Sequence, residues 1–414
     1  MRLRFLFVPV VFTSLAAQAG GFDTGPQGAR ILGLGGASTA YIGSIAGMVA
    51  NPGLLGQWAD SVTRVSIGGM GQVRRSSFVG QDTYQRTDQD LVVQPGGYAF
   101  ATYGLTKRLA LGLAITTPYG YHTRWAEGWE GRAVVQESQL NTYFAQPTVG
   151  FRLNDNFSLG AGLIYAFGQY SQSRVLSQYD DPAALAKFDV NGSGLGFSAG
   201  LYGRSGDNLA FGISYRSGVA LKLNNGTATY ANVPARDAGI YPASTSFSSQ
   251  LNLPNSLSVG LADRITKNLL VTFDFTLTGW SSLDSVNFEL AASGGAPGRR
   301  VTNSRRYDDA LAFRVGAEYQ AGSKLTILAG ANYDESPVRD EFINPELPDA
   351  NRLGGSLGLV YQLTERLALE GAYSFAYGQK RTARANISNE RLSNISGTYR
   401  TVINTASLGV SMSF

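Results

Sequence analysis

The chain has no cysteine, one histidine and few charges, with Asp, Glu, Lys and Arg making up 15% of 414 residues. Without cysteine there is neither a disulfide framework nor thiol chemistry. The lone histidine, His122, rules out a His-rich metal site, and any Ser-His pair would have to use it. It falls in a stretch that reads as a long loop, where a single histidine is usually solvated, so catalysis is poorly supported. Past the N-terminus, no window reaches the roughly eighteen uninterrupted apolar residues of a membrane-spanning helix. No basic stripe suggests nucleic acid.

The first nineteen residues stand apart. Arg2 and Arg4 precede an apolar run from Phe5 to Ala17, and Ala17-Gln18-Ala19 has the small-x-small form of a cleavage site. Residues 1–19 are therefore expected to be a signal peptide, and the mature chain to start near Gly20. Its removal takes Lys+Arg from 34 to 32 against 30 acids, so the net charge falls from +4 to +2.

What is abundant is glycine (51) and aromatic residues, with Tyr and Phe at 21 each. That mixture fits a transmembrane barrel, in which half the strand residues face lipid and half a polar lumen. A soluble all-β protein shares the composition, and the residue pattern separates the two. Val402, Asn404, Ala406, Leu408, Val410, Met412 and Phe414 alternate with small or polar residues. Phe157–Gly168, Leu269–Thr278 and Arg366–Gly378 alternate in the same way, with aromatic or aliphatic residues on one side. These runs last about ten residues or more, enough to cross a membrane when tilted.

Six short polar connections, near Thr106, Asn154, Ser205, Thr266, Gly322 and Thr364, separate such runs. Seven longer stretches lie between them, roughly Ser76–Pro95, Gly120–Thr142, Ser171–Gly194, Lys222–Ser244, Ser281–Asp309, Glu335–Arg352 and Gln379–Thr401. Six turns and seven loops predict fourteen strands in an all-β, antiparallel, closed transmembrane barrel over residues 61–414. Closure is required because lipid offers no partner to an open edge.

Residues 20–60 do not alternate. They are small and apolar, with one basic residue (Arg30) and two acids (Asp23, Asp60). A free tail would carry more charge, so the segment is expected inside the lumen as a plug. Gly33, Gly35 and Gly36 resemble a phosphate loop only superficially. No strand–helix context or Lys-Ser/Thr follows, so packing is the better reading and no cofactor is implied.

Several motifs, taken in order, give the chain a family resemblance. They are Asn51-Pro52-Gly53, Tyr215-Arg216-Ser217, Leu253-Pro254, Trp280-Ser281, Asp334-Glu335-Ser336-Pro337-Val338 and Leu347-Pro348-Asp349-Ala350-Asn351-Arg352. Together they resemble the outer-membrane long-chain fatty acid transporters, a family that includes aromatic-hydrocarbon channels. Gly53 stands where the family usually has Ala, and Gly43–Val49 lacks its acidic pair. The resemblance implies a fourteen-strand barrel with an N-terminal plug, a hydrophobic pocket and lateral release of substrate. Phe414 is similar to the terminal aromatic read by the barrel-assembly machinery.

Candidate substrate-binding residues follow. Tyr119, Tyr121, Trp125 and Trp129 cluster after the third strand, as a capture groove or as an interfacial belt. Asp181–Phe188 reads as a short surface helix in which Leu185 and Phe188 share a face, either to receive a lipid-like ligand or to cover the mouth. Pro118, Tyr119 and Gly120 end the third strand. The resemblance makes them the candidate lateral gate, against simple strand termination. Arg299, Arg300, Arg305 and Arg306 are expected in solvent or against lipopolysaccharide, with carboxylate steering as the weaker alternative. The leading reading is passive uptake of hydrophobic compounds. The alternatives are a porin with a water-filled lumen and a structural or adhesive barrel.

Overall fold

The computed structural model describes residues 21–176, 183–295, 297–383 and 395–414; the expected signal peptide lies outside them. Fourteen barrel strands run in chain order: β1 (Thr63–Gly80), β2 (Arg86–Asp88 with Gln94–Gly104), β3 (Leu109–Thr116 with Gly120–Arg124), β4 (Glu137–Arg152), β5 (Phe157–Val175), β6 (Leu185–Ser205), β7 (Leu209–Arg216 with Val219–Ala231), β8 (Ser244–Leu253 with Ser256–Arg264), β9 (Leu269–Thr278 with Ser285–Leu290), β10 (Arg299–Ser304 with Ala310–Gln320), β11 (Leu325–Asp334), β12 (Arg352–Gln362), β13 (Leu367–Gly378 with Arg381–Ala383) and β14 (Gly397–Ser413). Each pairs antiparallel with its neighbour, and β1 pairs with β14 from Arg64–Ser413 to Gly80–Gly397, which closes the ring.

Alternation sets the two faces. Leu408, Leu357, Leu163 and Phe273 lie outside and exposed, while Ser407, Ser356, Ser158 and Asp274 lie inside and buried. The six expected short turns are the connections between β2 and β3, β4 and β5, β6 and β7, β8 and β9, β10 and β11, and β12 and β13. The long stretches other than Glu335–Arg352 need correction, because strand runs into them: β5 runs on to Val175 and β6 begins at Leu185. Asp181 and Pro182 lie outside the described residues, and Leu185–Phe188 is strand rather than helix. Side chains in a strand alternate, so residues three apart point to opposite faces. Phe188 therefore lies in the buried interior cluster, and Leu185 does not share its face.

Residues 21–60 touch strands all round the ring. The segment holds α1 (Ala29–Gly33), α2 (Gly47–Ala50) and a 3₁₀ turn, Pro52–Trp58. Asp274 on β9 accepts from Ser38 N, Thr39 N and Thr39 Oγ1 at 2.7, 2.8 and 2.7 Å. Ser158 Oγ on β5 donates to Gly53 O (2.7 Å), Ser356 Oγ on β12 to Gly33 O (3.0 Å) and Gln72 Nε2 on β1 to Thr24 O (3.1 Å). Arg30 lies 3.7 Å from Glu318 on β10 and 3.5 Å from Glu370 on β13. The wall is glycine where this backbone leans on it. A Cβ at Gly150, Gly160, Gly212, Gly316 or Gly330 would come within 2.7 Å of a backbone atom of the segment.

Candidate functional site

Proline lacks the N–H that a ladder needs, and Pro118 interrupts β3. Thr116 pairs with Phe144 and Gly120 with Asn141 on β4. Residues 117–119 thus face only 142–143, and β3 carries one residue too many. Beyond the break β3 continues along β4 but leaves β2. Between the pairs Ala99–Ile115 and Gln89–Trp125, no ladder pair joins β2 to β3. The contacts described there are Asp90 N to Arg124 O (2.9 Å), Thr117 Oγ1, which accepts from Gly97 N (3.2 Å) and donates to Gly97 O (3.5 Å), and Gln94 Nε2 on β2, which reaches past the break to Asn141 Oδ1 on β4 (2.7 Å). The backbone ladder of the wall is open at this level. Pro118 therefore sits within a strand that resumes, so simple strand termination is corrected.

The N-terminal segment lies against this opening. Thr24 N donates to Pro118 O (3.0 Å) and Gly120 N to Phe22 O (2.8 Å), a bridge centred on Asp23 and Tyr119. Two of the resemblance motifs, those of Arg216 and Trp280, meet here. Arg216, at the break in β7, donates Nη2 to Tyr119 Oη (2.9 Å) with its guanidinium 5.5 Å from the ring centre. Pro254 lies in the break of β8. Trp280, in the break of β9, packs edge-on to Phe22 (4.8 Å) and Tyr119 (6.2 Å). Asn51-Pro52-Gly53 opens the 3₁₀ turn, with Asn51 Oδ1 accepting from Gly53 N (2.9 Å).

The loop 335–351 folds inward. Asp349 Oδ2 accepts from Gly21 N (2.7 Å), and Asn351 Oδ1 from Ser336 N (2.9 Å). Glu346 is 2% exposed. Its Oε1 accepts from Tyr121 Oη (2.6 Å), Tyr170 Oη (2.9 Å) and Ser138 Oγ (3.0 Å), and Oε2 pairs with Arg305. Burial pushes the Glu346 carboxyl up; Arg305 and the tyrosine hydroxyls outweigh it and hold the group below the usual glutamate range. Beside this pair lies a narrow, mostly apolar pocket of about 40 Å³, lined by Phe22, Tyr121, Leu140, Tyr170, Leu223, Ser249, Leu251, Leu283, Val286, Phe288, Arg305, Tyr307, Glu346 and Leu347. Its lining is apolar apart from Ser249, the Arg305–Glu346 pair and the tyrosine hydroxyls.

The sequence candidates are only partly united. Tyr121 lines the pocket, and Tyr119 lies at the strand break. Trp125 and Trp129 are buried and stacked at 4.4 Å, with their indole N–H groups on Pro345 O and Val135 O. All four aromatics are buried, which sets aside the interfacial belt for them. Phe188 packs on Phe288, a pocket residue, at 6.1 Å. His122 belongs to β3, with Nε2 2.8 Å from Glu137 Oε1, not to a solvated loop. Arg305 is buried on Glu346, not in solvent. Glu346 and Phe22 went unnoticed in the sequence; the block Leu347–Arg352 was the nearest signal.

A family model described as "Outer membrane protein transport protein (OMPP1/FadL/TodX)" matches residues 10–414. A long-chain fatty acid transport protein of Escherichia coli O6:H1 is 25% identical over 300 residues, 65% of this chain and 66% of the relative. The match thus spans about two thirds of that relative's length. A crystal structure of a Pseudomonas aeruginosa FadL homologue superposes with a TM-score of 0.80 at 20% identity, over 95% of this chain and 99% of that one. The Pseudomonas putida toluene transporter TodX does so at 0.73 and 16%, over 94% and 99%.

Proposed function

Because the chain belongs to the OMPP1/FadL/TodX family of outer-membrane transport proteins, we propose that it takes up hydrophobic compounds and releases them sideways between β2 and β3. The wall opening at Pro118–Gly120 carries this reading. Relatives named for long-chain fatty acids and toluene set the range of ligand size. Substrate enters the pocket by apolar burial, about 0.8 kcal/mol per methylene. Residues 21–60 act as the plug, and Phe22–Thr24 close the opening from within. When they withdraw, ligand slides past Tyr119 into the bilayer. A straight path through the lumen would expose it to periplasmic water, at a cost proportional to its apolar area. Tyr119, Tyr121 and Phe188 are the ligand-facing candidates; Trp125 braces the mouth, and Leu185 is set aside by its face.

At the outer surface, Arg299, Arg300 and Arg306 are exposed and suited to anionic lipopolysaccharide; Phe414, exposed at the end of β14, would serve the barrel-assembly machinery.

The register offers a clean test. Gly120→Val would press on the Leu140 carbonyl, 2.9 Å from the added Cβ. Deleting Pro118 alone matches 117 and 119 to 143 and 142 and straightens β3. Uptake of labelled toluene or oleate by cells should then fall to background, while heat-modifiable gel mobility shows an assembled barrel. An assembled variant with wild-type uptake would place the exit elsewhere.

A further inference from the structure

We propose that the pocket beside Glu346 selects uncharged ligands over carboxylates, a specificity that rests on the uptake reading above. Among the described residues lining it, two are charged, Arg305 and Glu346, and they are paired with each other. Arg305 is the group a ligand carboxylate would seek. To reach it, that carboxylate must displace Glu346 or lie beside it. Displacement breaks the bonds from Tyr121, Tyr170 and Ser138 as well as the ion pair. Coexistence places two carboxylates in one buried site, which disfavours ionisation of either. An uncharged chain meets neither penalty.

Ser249 adds a positive element. Its hydroxyl is buried, lines the same pocket and has no hydrogen-bond partner among the described residues. A single alcohol or carbonyl oxygen on an apolar ligand would satisfy it, and burial of that oxygen would then cost little. The ligand class is therefore hydrocarbon-like, with at most one neutral oxygen function.

Binding of labelled dodecanol and dodecanoate to the full-length processed protein in nanodiscs at pH 8 tests this, the two probes sharing chain length. Dodecanol should bind at least about tenfold more tightly, the ratio set by one ionisation step's worth of discrimination. Glu346→Gln leaves Arg305 without its counter-charge, and dodecanoate affinity should rise about tenfold while dodecanol changes little. If that variant fails to assemble, the double variant Arg305→Lys/Glu346→Gln keeps a cation without the carboxylate, and the same rise in dodecanoate affinity is expected. Equal binding of the two probes by the wild type, or an unchanged ratio in assembled Glu346→Gln, overturns the specificity and leaves the uptake reading standing. Binding of neither probe overturns both.

Discussion

Asn51 is fully buried, and its side chain accepts from Gly53 N and donates to Thr39 O (2.8 Å) and Leu201 O (2.9 Å). One amide thus ties a turn, the N-terminal segment and β6 together. Gly53 completes the fit. An added Cβ would lie 2.8 Å from the backbone at Leu201 and Tyr202, which has no flexible end to yield. The departure from the family's usual Ala is therefore matched to this wall. Gly53→Ala should loosen residues 21–60 by about 1–3 kcal/mol, the usual range for overpacking. Hydrogen exchange should quicken in that segment and not in β5 or β6; unchanged exchange would show that the wall shifts freely.

At the scale of elements, breaks in strands do the work that loops do elsewhere. β3, β7, β8 and β9 each break, and Tyr119, Arg216, Pro254 and Trp280 occupy or border those breaks. The inward loop 335–351 is a further element, closed on Arg305 through Glu346. A carboxyl whose folded pKa is depressed contributes stability above its unfolded pKa and loses it as pH falls through the folded value. Because Glu346 is held below the glutamate range, the loop should stay protected at mildly acidic pH and open only further down. Exchange in 335–351, followed from pH 7 downward, checks this; opening already above the ordinary glutamate range would refute the Arg305 clamp.

For the whole molecule, the ring closes through backbone bonds between β1 and β14 that owe nothing to residues 21–60. A variant lacking 21–60 should therefore assemble, with water solvating Asp274, Glu318 and Glu370 in the emptied lumen. Planar-bilayer conductance should rise from near zero to that of an open pore. An intact barrel already conducting freely would instead favour the porin alternative.

Sequence alone determined the strand number, the six tight turns, and which face meets lipid in the four segments whose alternation is plain. These follow from local periodicity and from lipid's inability to hydrogen-bond, so each strand declares its own place. It located the break at Pro118 as well, since a missing N–H is a property of one residue. It could not show that β3 resumes beyond the break, because the register belongs to β4. It misread Leu185–Phe188 as helix, where pairing to β5 and β7 overrides a local capping pattern. Only the tertiary structure decided the pocket. Glu346, Arg305, Tyr121 and Phe22 come from four separate stretches of chain. Their meeting depends on an inward loop and the N-terminal segment docking on one break in the ladder, contacts whose long sequence separation leaves no periodic trace.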